Sequence, residues 1–130
     1  MSPPRWIERR ALLLLHAESL AEHGGLGGIR DEGLLESALA RPRNLFAYEL
    51  EEDPARLAAS YAYGITKNHA FHDGNKRAGF QAIGLFLGLN GHRLVADQTN
   101  AIRIMLSLAS GQVTEAELAD WIRGYMKPWN

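Results

Sequence analysis

The stretch 69–91, with the sequence HAFHDGNKRAGFQAIGLFLGLNG, decides the fold prediction. Its second half carries apolar residues on most sides of a helix: Phe80, Ile83, Leu85, Phe86, Leu87 and Leu89. The run ends at Asn90 and Gly91, a pair suited to a left-handed helix stop. A helix that is apolar on most sides is buried. The stretch therefore predicts a central, buried helix that follows a polar loop.

Helical spacing of apolar residues and capping signals predict five further helices around this one. In chain order they cover residues 5–23, 31–41, 53–68, 97–111 and 114–125. The second begins at Asp31 and ends before Pro42, because proline disfavours the helical conformation of the residue before it. The last begins at Thr114 and Glu117, which have the spacing of a capping box.

Residues 43–53 lack helical periodicity, although Leu45, Phe46, Tyr48 and Leu50 are apolar or aromatic. We expect a loop or a short extended piece there. No run alternates apolar and polar residues with a period of two, and no segment repeats. The sequence thus predicts an all-α fold of about six helices in a single domain over residues 1–130, with at most a small hairpin at 43–50.

Composition excludes several classes of protein. The chain has 130 residues, of which 46% are hydrophobic and 22% charged, and its net charge is −1. No global basic field exists to hold nucleic acid, so any anion site must be local. The absence of cysteine removes disulfides, thiolate zinc sites and thiol catalysis. The apolar run 11–15 is too short for a membrane span or a signal core, so we expect no membrane anchor and a cytoplasmic protein.

The loop before the predicted buried helix concentrates chemical groups. His69 offers an imidazole that can take a proton from a hydroxyl. Asp73 offers a carboxylate that can hold Mg²⁺ beside phosphates. Gly74 allows the backbone to approach a ligand closely, and the start of a helix supplies free N–H groups. Lys76 adds a point charge and Arg77 a planar fork that can hold two phosphate oxygens. These groups predict transfer of a phosphate-containing group to a hydroxyl.

A plainer interpretation of the same loop is a polar turn capped by Asn75, with Lys76 and Arg77 solvated. Two cations at the positive end of a helix are unfavourable by several tenths of a kcal/mol unless an anion joins them. This misfit favours a bound anion. A transition-metal site at His69, His72 and Asp73 is a further alternative. His16, His23 and His92 lie outside any cluster, and we expect them to be structural or solvated.

Residues 69–77 resemble the signature of the Fic/Doc superfamily, in which His-x-Phe-x-Asp/Glu-Gly-Asn precedes a helix and a following arginine. Residues 24–25, 28–31, 34–39, 58–63, 90–91 and 121–122 look like the Doc (death-on-curing) toxin branch. The resemblance implies a compact helical Fido fold that uses ATP and Mg²⁺. It also implies a toxin that is neutralised by a separate antitoxin protein and that acts on a hydroxyl of elongation factor Tu.

Carried over by position, the resemblance makes His69 the base that activates the target hydroxyl, Phe71 the hydrophobic anchor of the loop, and Asp73 the metal-side carboxylate. It implies that four consecutive residues bind the nucleotide: Gly74, Asn75, Lys76 and Arg77. Among these, Lys76 and Arg77 are implied in catalysis together with His69 and Asp73.

Two residues depart from the pattern of adenylylating Fic enzymes. Lys76 replaces a second glycine, and Phe80 replaces a second arginine. Both changes resemble the Doc branch, in which the nucleotide binds in the reverse sense and the γ-phosphoryl group is transferred. Gly74 instead is Fic-like, since the Doc pattern has alanine there. Three functions stay open: a kinase, an AMP transferase (adenylyltransferase), and a catalytically silent module that binds an antitoxin.

The resemblance also bears on regulation and target binding. Self-inhibited Fic proteins carry Ser/Thr-x-x-x-Glu-Gly/Asn, but the glutamate that precedes Gly33 has Gly28 four residues before it. The missing brake fits control by a partner, and we expect exposed apolar surface to receive an antitoxin helix. Fic enzymes hold target segments against a flap by strand-like pairing, and we expect that flap at residues 43–50 or, alternatively, mere coverage of the core there.

Overall fold

The computed structural model describes residues 3–129. Over this range the chain forms six α-helices and two short strands: α1 (Arg9–His23), α2 (Glu32–Glu49), α3 (Pro54–Asn68), α4 (Asn75–Leu89), β1 (His92–Leu94), α5 (Gln98–Ala109), α6 (Glu115–Tyr125) and β2 (Met126–Pro128). The prediction of a helical fold of six helices is confirmed.

Capping side chains fix four of the helix starts where the sequence predicts them. Asp31, Asp53 and Asp97 each accept a hydrogen bond from a backbone N–H in the first turn of the next helix. Thr114 and Glu117 form the complete capping box of α6. These bonds satisfy N–H groups that have no partner inside a helix.

The most enclosed helix is α3, not α4 as the apolar run predicts. Ten residues of α3 are buried, and five of them are alanine or glycine. A Cβ added to Gly64 would lie 3.2 Å from Cα of Ala38, so the backbones of α2 and α3 approach each other closely. Small residues allow that approach but contribute little to a hydropathy pattern, which is why the sequence does not mark α3 as central.

The predicted end of α2 at Pro42 and the hairpin at 43–50 are wrong. The helix continues through Pro42 and ends at Glu49. Leu50 follows as its C-cap residue in the left-handed conformation, with a φ of 56°. Proline inside a helix loses one hydrogen bond and is unfavourable by roughly 3 kcal/mol. Pro42 is itself buried, and Phe46 packs edge-on against Trp6 with ring centroids 5.7 Å apart. Both contacts favour the helical conformation of residues 43–49 and oppose the cost of the lost bond.

The strands β1 and β2 pair antiparallel, with Arg93 opposite Lys127. Each strand has three residues, too few for alternation to be visible in the sequence. Gly91, with a φ of 84°, turns the chain from α4 into β1. Within residues 3–129, no helix combines the length and the hydropathy needed to cross a bilayer.

Candidate active site

The loop between α3 and α4 is framed by two left-handed residues. His69 ends α3 at φ 55° and ψ 47°, and Gly74 precedes α4 at φ 77°. The N–H of Ala78 donates to the carbonyl of Gly74 at 2.9 Å, which is the first hydrogen bond of α4. The amides of the three residues before Ala78 therefore lack helical acceptors, and they form the positive end of the α4 dipole.

Asn75 holds this loop together. It is only 5% exposed. Its Oδ1 accepts from the N–H of Phe71 at 3.0 Å, and its Nδ2 donates to the carbonyl of Phe71 at 2.9 Å. These two bonds determine which terminal atom of the side-chain amide is the oxygen and which is the nitrogen. The Nδ2 also lies 3.3 Å from Nδ1 of His69. Since an amide NH₂ only donates, Nδ1 must accept, and a neutral His69 carries its proton on Nε2.

Phe71 is fully buried and forms an isolated antiparallel bridge with Ile29. The hydrogen bonds lie on either side of this pair, and one of them joins the N–H of Arg30 to the carbonyl of Ala70 at 2.7 Å. Ile29 and Phe71 thus face each other as a non-hydrogen-bonded pair, in which each residue's N–H and C=O point away from the partner. Those of Phe71 point to Asn75.

Arg30 supports His69 from the segment between α1 and α2. Its Nε donates to the carbonyl of His69 at 2.7 Å, and its Nη2 donates to the carbonyl of Asn68 at 3.1 Å. A cation is favourable at the carboxyl end of α3, where carbonyls lack helical partners. Arg30 therefore stabilises a left-handed conformation that is uncommon for a residue other than glycine.

Asp73 is exposed, and one of its carboxylate oxygens is already held. Its Oδ2 accepts from the N–H of Leu26 at 2.6 Å. The second oxygen remains available for a metal ion. Mg²⁺ binds one or two carboxylates together with phosphate oxygens and water, so a single carboxylate beside a phosphate site fits magnesium. Residues 3–129 contain no group of three or more His, Cys, Asp or Glu placed to hold a metal. The transition-metal alternative at His69, His72 and Asp73 is thus unsupported.

A cleft of about 590 Å³ opens at the start of α4. One wall is polar and consists of the four residues implied in nucleotide binding: Gly74, Asn75, Lys76 and Arg77. The opposite wall comes mainly from α5 and is largely apolar: Ala101, Ile102, Met105 and Leu106. Phe80 and His23 also line the cleft. The volume lies within the range of small-molecule sites.

The structure thus brings the predicted residues together in two groups. Gly74, Asn75, Lys76 and Arg77 line the cleft. His69 and Asp73 lie outside that lining, on the loop that leads to it, and Asn75 connects His69 to the cleft. The chemistry this arrangement permits is binding of a polyanion at the helix start, with an imidazole and a carboxylate beside it.

Sequence reasoning missed Arg30 and His16. Arg30 lies 39 residues before His69, and His16 lies 57 residues before Asp73, whose carbonyl it contacts. His16 is buried, as a structural histidine should be, but its partner belongs to the site. No local spacing rule connects residues so far apart in the chain.

Comparison with known proteins identifies the family of this helical chain. A model of the Fic/DOC family matches residues 6–87. "Protein kinase doc" of Escherichia phage P1 is 31% identical over 119 residues, which cover 92% of this chain and 94% of that protein. "Toxin Doc" of Mycolicibacterium smegmatis is 42% identical over 87 residues, 65% of each protein. The chain belongs to the Fic/DOC family and lies in its Doc branch.

Proposed function

We propose that the chain is a Doc-like toxin that transfers the γ-phosphoryl group of ATP to a hydroxyl of a cytosolic protein. By resemblance, that protein is elongation factor Tu, and its modification inhibits translation. The observation that carries the proposal is the pair of cations at the start of α4. Ion pairs among residues 3–129 involve Arg9, Arg41, Arg56 and Arg123 and leave Lys76 and Arg77 without a carboxylate.

The lining of the cleft suits a nucleotide whose phosphates lie at the start of α4. The free amides of the first turn, Lys76 and Arg77 all attract negative charge to the same wall. The apolar wall from α5 suits a ring system or an aliphatic segment. The free oxygen of Asp73 would hold magnesium, which would supply positive charge beside the phosphate oxygens.

His69 acts in the proposed reaction as the base. The target hydroxyl gives its proton to the imidazole, its oxygen forms a bond to the γ-phosphorus, and the bond from that phosphorus to the bridging oxygen of ADP breaks. The lone pair of neutral His69 is on Nδ1 and faces the amide of Asn75 at 3.3 Å. Either the hydroxyl replaces Asn75 at Nδ1, or the proton moves from Nε2 to Nδ1, which also breaks the contact with Asn75, so that Nε2 can accept.

The segment that presents the target is residues 24–31, not 43–50. Residues 43–49 belong to α2 and have no strand edge to offer. Ile29 already pairs with Phe71, and in this type of pair its own N–H and C=O point to the opposite side. A strand of the target can add to that edge next to His69. Leu26, 64% exposed, lies on the same segment and can contact the incoming chain.

The antitoxin is proposed to lie along α5 at the mouth of the cleft. Ile102 and Leu106 each are 53% exposed and also line the cleft. They are four residues apart and so lie on one face of α5. A partner helix that packs its apolar side against them covers the cleft and blocks the nucleotide. In this arrangement a second protein provides the inhibition that self-inhibited Fic proteins obtain from their own inhibitory motif.

AMP transfer is the second candidate, and Gly74 is the residue that favours it in the sequence. Gly74 has a local reason in the structure, however. Its φ of 77° disfavours other residues, and an added Cβ would lie 3.4 Å from Nε2 of His16. The backbone thus favours glycine in this chain for a reason that does not depend on which group is transferred. Lys76 and Phe80 then remain as the residues that distinguish the reactions, and both favour phosphoryl transfer.

The test is transfer of label from ATP to protein in a cytosolic extract with Mg²⁺. ATP labelled on the γ-phosphate is compared with ATP labelled on the α-phosphate. We expect label from the γ-position alone, lost in His69→Ala and kept in His72→Ala, a neighbouring exposed histidine. Label from the α-position would establish AMP transfer. Label from neither, with the extract's elongation factor Tu intact, would favour the silent antitoxin-binding module.

Lys76→Gly tests the residue to which the direction of transfer is assigned. If Lys76 sets the orientation of the nucleotide, the variant loses γ-transfer by at least tenfold and gains measurable α-transfer. An unchanged rate and product would remove Lys76 from the proposal while leaving the kinase activity itself in place.

A further inference from the structure

His16 lies beneath the phosphate-binding loop, although it belongs to α1. It is 4% exposed. Its Nε2 lies 2.8 Å from the carbonyl oxygen of Asp73, and its ring stacks on Phe71 with centroids 3.8 Å apart and planes 15° from parallel. The two contacts involve different residues of the loop, so they restrain it at two points.

The chemistry of the contact fixes the proton of His16. A carbonyl oxygen only accepts, so Nε2 must donate and must carry the hydrogen. The carbonyl of Asp73 immediately precedes Gly74, the residue whose left-handed conformation directs the chain into α4. The direction of that carbonyl sets the peptide plane between Asp73 and Gly74. His16 is thus bonded to the peptide that aims the first amides of α4 at the cleft.

We propose that His16 is a positioning residue for the phosphate-binding loop. Its Nε2–H holds the peptide between Asp73 and Gly74, and its ring holds Phe71, so that the free amides of α4 and the carboxylate of Asp73 are oriented before the nucleotide arrives. The restraint on the loop stands on the geometry alone. Its effect on nucleotide binding rests on the proposed function.

Two substitutions separate the two contacts. His16→Phe keeps an aromatic ring against Phe71 but removes the donor to Asp73. His16→Gln places an amide NH₂ near the position of Nε2, which keeps the donor but removes the ring. Ser19→Ala is the matched control, because Ser19 is buried on the same helix and its hydroxyl has no hydrogen-bond partner among the described residues.

Amide hydrogen exchange of the peptide that spans residues 70–77 reports the restraint directly. We expect His16→Phe to speed exchange in this peptide about five- to tenfold, as loss of one hydrogen bond should, while peptides of α3 and α6 keep their wild-type exchange. His16→Gln should restore slow exchange at Phe71 and His72, whose amides are hydrogen-bonded to Asn75 and Gly28. The proposal is overturned if His16→Phe leaves the loop unchanged, or if Ser19→Ala speeds its exchange equally.

Nucleotide affinity is measured in parallel with Mg·ATP as the probe. We expect His16→Phe to weaken binding about five- to tenfold and His16→Gln to recover most of it, because the donor acts through the phosphate-binding amides. If the wild-type protein binds no ATP, the proposed function fails while hydrogen exchange still decides the role of His16. If His16→Phe does not fold, His16→Gln decides: slow loop exchange and wild-type affinity support the donor role, and fast exchange overturns it.

Discussion

Replacing Asn75 with alanine should destabilise the protein far more than loss of a surface amide. Asn75 supplies both hydrogen-bond partners of the Phe71 backbone, at 3.0 and 2.9 Å, and Phe71 is fully buried. A buried group left without a partner is unfavourable by about 1–3 kcal/mol. Two such groups, with partial access of water to the loop, give an expected loss of about 2–4 kcal/mol in the free energy of unfolding.

Urea unfolding followed by circular dichroism measures this loss, provided that the slope of the transition is unchanged. Asn68→Ala is the control, since Asn68 makes one side-chain bond to a backbone carbonyl, that of Leu34 at 3.0 Å. We expect it to lower the free energy of unfolding by only about 1 kcal/mol. An Asn75→Ala variant within 0.5 kcal/mol of Asn68→Ala would refute the assignment of Asn75 as the residue that holds the loop.

Two further predictions concern the core. Gly79→Ala should lower the free energy of unfolding by about 1–3 kcal/mol in urea, because its Cβ would lie 2.5 Å from Oγ1 of Thr66. Gly84→Ala, with open space around it on the same helix, should instead raise it by up to about 1 kcal/mol, and equal effects would contradict the packing. Burial raises the pKa of the Tyr61 phenol, so the folded chain keeps a proton that the unfolded chain loses above pH 10.0. The free energy of unfolding should therefore fall as pH rises above that value, and Tyr61→Phe should flatten this part of the pH profile; an unchanged slope would contradict the raised pKa.

The elements that sequence predicts well are those whose signals are local. Asp31, Asp53 and Thr114 begin helices because their side chains bond amides two or three residues away, and spacing of that kind is visible in the chain. The loop 69–77 is visible for the same reason, since its base, carboxylate and cations are consecutive or nearly so.

The elements that sequence misses depend on distant partners. Pro42 predicts a helix end by its local chemistry, but α2 continues past it, where Pro42 is buried and Phe46 packs against the distant Trp6. Arg30 and His16 contact carbonyls of the loop from other segments. The residues next to them in the sequence do not indicate these contacts. The pairing edge at Ile29 is equally hidden, because one isolated bridge produces no alternating pattern.

The most direct test of the proposed reaction is the intact mass of purified elongation factor Tu after incubation with this protein, ATP and Mg²⁺. We predict a gain of a single phosphoryl group that is absent with His69→Ala and present with His72→Ala. A gain of an adenylyl group, or an unmodified factor in the presence of protein that binds ATP, would contradict γ-phosphoryl transfer to this target.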